Sequence, residues 1–327
     1  MLYINCIDEL NSGKNLLAFS GGVDSSALFF LLLENQIKFD IALVNYGIRE
    51  QSIKEQTYAL TLAKRYKLKA YTIQSPQFDN NFEKNARDFR YKFFNKIIKR
   101  EKYTNLITAH QLNDQMEWLL MRLVKGAGVV ELLGLESKTI KDNYRLIRPI
   151  LHHSKDELLE YLKKHNYKYF IDSSNSDIKY ERNYFRKKFS DSLIEEYRDG
   201  ISRSFEYLKE DKRVLTTGYR EIFHYRELYI IELTNPAIKT RVIDIYLKRL
   251  GYLLSSSQRE KLKKENSIVF GAVWAVEIRD NKIFIAPYIK KPMPKRYKES
   301  CRVAKIAPKI RGYCYINNIE PKMVLQS

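Results

Sequence analysis

The chain has 327 residues, 44% of them hydrophobic, which is long enough for two domains and a sizeable core. No uninterrupted apolar run approaches the roughly 20 residues of a membrane span, and three scattered cysteines, Cys6, Cys301 and Cys314, argue against a disulfide framework or a zinc site. The net charge of +19 is uneven: residues 1–200 hold 32 Lys+Arg against 26 Asp+Glu, whereas residues 201–327 hold 26 against 13. A basic C-terminal third predicts a polyanionic partner. The segment Met1–Glu9 has no basic n-region and no cleavage site, so it does not read as a secretory signal, and a cytoplasmic location is expected.

In chain order, apolar runs predict strands at about 15–20, 40–45, 69–74 and 104–109. Amphipathic spacing predicts helices at about 25–35, 51–66, 82–101 and 113–124. That rhythm is the signature of a doubly wound parallel sheet, with sites at the C-terminal ends of its strands. Lys125–Glu131 reads as a loop, and Ser154-Lys155-Asp156-Glu157 as a capping box opening a helix to about His165. A domain boundary is expected near 195–205. Farther on, Ile268–Ile278 and Lys282–Ile289 flank Arg279-Asp280-Asn281 and predict a hairpin.

The run Leu16–Ser26 carries the most chemistry. An apolar strand stops at Ser20-Gly21-Gly22 and restarts as an apolar helix after Val23-Asp24-Ser25-Ser26. Adjacent glycines turn the backbone sharply and bring its N–H groups close to an anion. Ser20 and Ser25 add hydroxyls, and the helix aims its positive end at the same spot. A lone Gly-Gly is only a turn; strand, turn, Asp, serines and helix in one register make a phosphate cradle. It is neither a Walker A loop, which needs Gly-Lys-Ser/Thr, nor Gly-x-Gly-x-x-Gly, because Ser25 stands where the third glycine belongs.

After the fourth strand comes Thr108-Ala109-His110-Gln111-Leu112-Asn113-Asp114-Gln115-Met116-Glu117-Trp118. Asp114 and Glu117 are three apart and share one helix face. His110 sits at a strand's C-terminal end. An isolated Asp-x-x-Glu is a solvated helix face, but two carboxylates beside a phosphate site call for a cation, either a metal ion or a substrate amine.

The string Ser20–Ser25 resembles the PP-loop, Ser-Gly-Gly-x-Asp-Ser, of the N-type ATP pyrophosphatases. Members of that family hold the β/γ-phosphates of ATP and transfer AMP to a carbonyl-type oxygen. The second constellation narrows the resemblance. His110, Asp114-Gln115 and Glu117 are similar to the His-x-x-Asp-Asp-Gln-x-Glu-Thr motif of tRNA(Ile)-lysidine synthetases, which attach free lysine to the wobble cytidine of a CAU-anticodon isoleucine tRNA. In the same order, Gly47-Ile48-Arg49 resembles Gly-Leu-Arg, and Ala86-Arg87 with Arg90-Tyr91 resembles Ala-Arg-x-x-Arg-Tyr. Arg148-Pro149-Ile150-Leu151 resembles Arg-Pro-Leu-Leu. Asp172-Ser173-Ser174-Asn175 and Arg182-Asn183-Tyr184-Phe185-Arg186 resemble Asp-x-(Ser/Thr)-Asn and Arg-Asn-x-x-Arg. The match spans about residues 15–195. Asn113 replaces the first Asp of the family pair, Trp118 replaces the Thr, and Leu43-Val44-Asn45-Tyr46 stands where the family has His-x-Asp-His.

The resemblance implies an α/β fold, a doubly wound parallel sheet of the adenine-nucleotide-binding PP-loop type, with a basic α+β C-terminal region. Residues 1–200 would be the ATP-binding catalytic domain and 201–327 a tRNA-binding region. It implies ATP and Mg2+ as cofactors, and tRNA(Ile) with a CAU anticodon and free L-lysine as partners. No membrane is implied, and a homodimer is left open. Ser20, Gly21, Gly22, Val23, Asp24, Ser25 and Arg49 would hold ATP, with Asp24 serving Mg2+. Asp24, His110, Asp114 and Glu117 would be catalytic, and Asp114, Glu117 and Arg182 would bind lysine. Arg87, Arg90, Arg182 and Arg186 would contact phosphates of ATP or tRNA. Cytosine O2 would attack the α-phosphorus of ATP, and the lysine amine would then displace AMP from C2. The competing readings are a PP-loop tRNA 2-thiolation enzyme, a small-molecule synthetase making NAD or GMP, and a non-catalytic tRNA-binding protein with a decayed loop.

Overall fold

Leu16 and Leu17, Ile41 and Ala42, Leu106 and Ile107, and Leu146 and Ile147 are adjacent pairs in which both members are buried. Successive strand residues point to opposite faces, so this sheet is covered on both sides. In the computed structural model, which describes residues 2–47, 51–78, 80–171 and 181–325, that sheet is the centre of the first of two units, Met1–Lys209 and Glu210–Ser327.

The first unit runs α1 (Ile7–Asn11), β1 (Asn15–Ala18), α2 (Val23–Glu34), β2 (Phe39–Asn45), α3 (Gln51–Arg65), β3 (Ala70–Gln74), α4 (Phe82–Glu101), β4 (Asn105–Ile107) and α5 (Leu112–Leu123). It continues with α6 (Val129–Leu132), β5 (Lys138–Lys141), β6 (Tyr144–Ile147), α7 (Lys155–Lys164), α8 (Glu181–Phe185), a π-helical turn (Arg186–Ser190) and α9 (Asp191–Thr216), which continues past Lys209. The sheet order is β3-β2-β1-β4-β6-β5; all neighbours are parallel except β5, which pairs antiparallel with β6 at the edge. The expected strands and helices are present. The segment expected as a loop at Lys125–Glu131 is non-helical only to Gly128, after which α6 begins.

One face of the sheet, with Leu17, Ile41, Ile107 and Ile147, packs on α2, α3 and α7. The other, with Leu16, Ala42, Leu106 and Leu146, packs on Phe94, Ile97 and Ile98 of α4. Helix α2 is buried nearly all round, from Ser25 to Leu32. The strand order reverses between β1 and β4, so their C-terminal ends open a crevice at the switch point.

The second unit is an antiparallel sheet, β7 (Tyr219–Tyr225), β8 (Leu228–Leu233), β9 (Ser267–Phe270), β10 (Trp274–Arg279) and β11 (Lys282–Pro287), in the order β7-β8-β11-β10-β9. Helices α10 (Lys239–Arg249) and α11 (Ser256–Lys264) cover one face, and α12 (Lys295–Val303), α13 (Arg311–Ile316) and α14 (Pro321–Leu325) the other. The expected hairpin is β10–β11, turning at Asp280-Asn281; its first arm is broken at Gly271–Val273, which separates off β9. Tyr313 is buried in this unit's core, and the Tyr297 hydroxyl donates to Ile319 O at 2.7 Å. Among the described residues no helix is long and apolar enough to cross a membrane.

Candidate active site

Beyond β1 the chain reaches Gly21 at φ +78°, a conformation that favours glycine. Phe170 backs this turn: its N–H donates to Gly21 O at 2.9 Å, it forms a parallel bridge with Gly22, and a Cβ on Gly21 would lie 3.4 Å from its ring. Gly22 is the N-cap of α2 and has no side chain to satisfy the first-turn amides, so they stay available to an anion. The Ser20 and Ser25 hydroxyls lie 3.0 Å apart, and Ser25 Oγ also accepts from Ser20 N at 3.2 Å and donates to Gly22 O at 3.2 Å. Ser25 therefore braces the loop while Ser20 stays exposed.

Asp24 stands in the first turn of α2. Its Oδ1 is buried and accepts no hydrogen bond. Burial, reinforced by the Asp114 carboxylate, pushes its pKa up to about 7, with Lys155 and Arg186 opposing. The loop after β1 and the start of α5 after β4 thus share one electrostatic environment, as the crevice between those strands requires.

Helix α5 opens with a reciprocal cap. Gln111 Oε1 accepts from Asn113 N at 2.5 Å, and Asp114 Oδ2 accepts from Gln111 N at 2.9 Å. Just before it, the His110 ring Nδ1 lies 2.9 Å from Thr108 Oγ1. Burial pushes the imidazole down to about 4, against the pull of Asp114, so it is neutral at pH 7.

The two acids meet arginines from far along the chain. Arg182 donates to Asp114 Oδ1 and, through Nε, to Glu117 Oε2 at 2.6 Å. Arg186 Nε donates to Glu117 Oε1 at 2.5 Å. Glu117 is 1% exposed as a side chain. Burial disfavours ionised Asp114, but Arg182 and His110 together hold its pKa below the usual carboxylate range. Arg182 and Arg186, four positions apart, occupy α8 and the π-helical turn; such turns are frequent at functional sites. Two carboxylates and two guanidiniums form a neutral cluster beside the phosphate loop, able to exchange partners with a zwitterionic amino acid.

The remaining expected residues fall into three groups. Arg87 and Arg90 are exposed on α4; Arg87 lies over the Tyr91 ring at 5.4 Å, and Arg90 interacts with Tyr46 and lies close enough to act on His110. Arg49 and Asp172-Ser173-Ser174-Asn175 lie outside the described residues. Arg148 is buried and donates to Glu136 O at 2.6 Å and Thr139 Oγ1 at 3.2 Å, bracing the β5–β6 edge.

The departures also have local partners. Asn113 donates to Asp191 Oδ1 at 2.8 Å and accepts from Lys155 N at 3.1 Å. Asn45 donates to Gln56 at 2.6 Å and accepts from Gly47 N at 2.8 Å, fixing the end of β2. Trp118 Nε1 donates to Glu131 O at 3.0 Å, and its ring packs against Gly134, where an added Cβ would come within 2.1 Å. Sequence reasoning missed Lys155 as a neighbour of Asp24; its one sequence signal was its place in the capping box.

A family model described as the PP-loop domain matches residues 3–193. The tRNA(Ile)-lysidine synthase of Wolinella succinogenes is 42% identical over 314 residues, covering 96% of this chain and 96% of that protein. The corresponding protein of Campylobacter jejuni is 42% identical, covering 95% of each chain. That of Helicobacter pylori is 38% identical, covering 94% of this chain and 91% of its own. Likeness over nearly the whole length, with a phosphate loop and an acid–arginine cluster in one crevice, places the chain in the tRNA(Ile)-lysidine synthase family of PP-loop proteins.

Proposed function

We propose that this protein is an ATP-dependent ligase that joins lysine to C2 of the wobble cytidine, C34, in the CAU anticodon of tRNA(Ile). Cytosine O2 attacks the α-phosphorus of ATP, and pyrophosphate leaves. The lysine ε-amine then attacks C2, and the C2–O2 bond breaks to release AMP. The carrying observation is the meeting of the Ser20–Ser25 loop with the Asp114–Glu117–Arg182–Arg186 cluster at the β1/β4 switch point.

Each residue has a chemical task in this reading. The loop amides, with Ser20, Gly21, Gly22, Val23 and Ser25, hold the phosphates, and Arg49 joins them. Asp24 fits a divalent cation, because its buried Oδ1 lacks any donor. Mg2+ uses one or two carboxylates together with substrate phosphates and water, so a single acid is a sufficient protein share. When bound, Mg2+ neutralises charge on the pyrophosphate. Asp114 and Glu117 take the lysine ammonium groups, and Arg182 takes its carboxylate, by charge-assisted hydrogen bonds. Neutral His110 is able to accept the proton that the ε-ammonium must lose before it attacks. Arg87, Arg90 and Arg186 are assigned to phosphates of ATP or tRNA, Arg186 by exchanging its Glu117 partner. Residues 201–327 supply tRNA affinity through their charge.

Sulfur relay by Cys301 and Cys314 has no support, since both thiols are buried in the second unit and burial pushes their pKa values up. The direct test is incubation with ATP, labelled lysine and total tRNA, followed by nucleoside analysis. Labelled lysidine is the expected product, and label that stays out of RNA would refute the reading.

A further inference from the structure

We propose that Lys155 is the lysine that this phosphate loop does not itself contain, and that it holds the pyrophosphate end of the nucleotide opposite Ser20–Ser25. The inference rests on the ATP reading above and adds a residue to it. Ser20-Gly21-Gly22-Val23-Asp24-Ser25 includes no basic side chain, so the loop offers only backbone and hydroxyl donors to a multiply charged anion. Some other element has to bring the cation.

The cations near the loop are not equivalent. Arg182 is ion-paired to Asp114 and Glu117, and Arg186 to Glu117. Lys155 has no ion-pair or hydrogen-bond partner for its ammonium among the described residues. Its backbone is the part that is fixed: Lys155 N donates to Asn113 Oδ1 at 3.1 Å, one residue before Asp114. On either side, Leu112 N donates to His153 O at 2.8 Å, and Ser154 and Glu157 close a capping box. The start of α7 is therefore pinned to the start of α5, and α7 also packs on α2 through the apolar cluster that includes Leu158 and Leu162.

Lys155 is half-buried, a compact charge on a flexible stem, and its backbone is held beside the first turn of α5. The independent sign of a ligand is on α2. Asp24 Oδ1, at the start of α2, is shielded from water and accepts no hydrogen bond, and α2 is the helix that α7 packs on. An acid with one shielded, unpartnered oxygen and an uncommitted ammonium on two neighbouring helices fit a metal-bound pyrophosphate between them: the acid toward the metal, the ammonium toward phosphate oxygens.

The test uses the full-length protein without tRNA or lysine. Equilibrium binding of labelled ATP with Mg2+, and its displacement by pyrophosphate or by adenosine, is measured for wild type, Lys155→Ala, Lys155→Gln and Lys155→Arg, with a thermal melt of each. Lys155→Ala and Lys155→Gln are expected to weaken ATP and pyrophosphate by about tenfold or more while leaving adenosine unchanged. Lys155→Arg should recover most of that loss, which a purely structural role would not produce. Unchanged pyrophosphate affinity in the folded Gln variant would overturn the proposal, and so would an equal loss for adenosine. A wild type that binds ATP and pyrophosphate but makes no lysidine would instead defeat the functional reading, leaving the Lys155 comparison readable.

Discussion

Arg186 Nε donates to Glu117 Oε1 at 2.5 Å, joining residues 69 positions apart. Glu117 also accepts from Arg182, so one carboxylate organises two guanidiniums. Removing it takes the close carboxylate from Arg186 and leaves Arg182 with Asp114 alone. Glu117→Gln should cost about 3 kcal/mol in urea denaturation, the lower end for a broken buried pair because the Arg182 side chain is 38% exposed. In steady-state kinetics the variant should raise the KM for lysine at least tenfold while changing that for ATP little. A rise confined to ATP would move Glu117 from lysine to metal.

Asp24 should show stability and activity pulling apart. Its carboxyl pKa is raised to about 7, so between the usual carboxylate range and pH 7 the folded state binds more protons than the unfolded state. Stability from this group is then present at low pH and is lost as pH rises through 7. Asp24→Asn should melt higher than wild type at pH 8, by up to about 4 kcal/mol if three pKa units are recovered, and should show a flatter pH profile. The same variant should lose pyrophosphate release. Ser25→Ala, which removes one brace from a loop rich in backbone donors, should be milder, about 1 kcal/mol.

The contact between Asn113 and Asp191 gives a reciprocal prediction. Asn113→Asp puts a carboxylate 2.8 Å from another and removes the donor. A loss of about 2 kcal/mol is expected, smaller at acid pH where one carboxyl is protonated. Asp191→Asn added to Asn113→Asp restores one donor and one acceptor, so the double variant should recover most of the stability. Additive losses in a double-mutant cycle would show that the pair contributes nothing.

The second unit carries its own sheet and cores, so a chain ending at Thr216 should keep ATP affinity. Its tRNA affinity should fall by an order of magnitude or more. Binding by the full chain should weaken steeply with salt, as release of counterions from the phosphate backbone demands. Equal tRNA affinity after truncation would put recognition on the arginines of the first unit.

Much of the first unit was legible because its signals are local. Strands such as β1 (Asn15–Ala18) are short and mostly apolar, the glycine turn follows at once, and α2 is apolar enough to be buried from Ser25 to Leu32. The edge strand β5 escaped notice because Lys138-Thr139-Ile140-Lys141 is mostly exposed and lacks an apolar run. Asp114 and Glu117 were visible as a pair on one helix face. Their arginines were visible only as a motif, because pairing across 65 to 69 residues is set by packing and not by spacing. Asp24 was legible by its place in the loop, but its unsatisfied oxygen was not, since that depends on what buries it.

Lysidine formation at C34 can be read from tRNA(Ile) transcripts that differ at one base. Transcripts with CAU and UAU anticodons are incubated with ATP, Mg2+ and labelled lysine, and position 34 is analysed by nuclease digestion and mass spectrometry. One lysine per CAU transcript is expected, located at C34, with stoichiometric AMP and pyrophosphate and no product from UAU. Lysine at any other nucleotide, or AMP release with no change at C34, would contradict it.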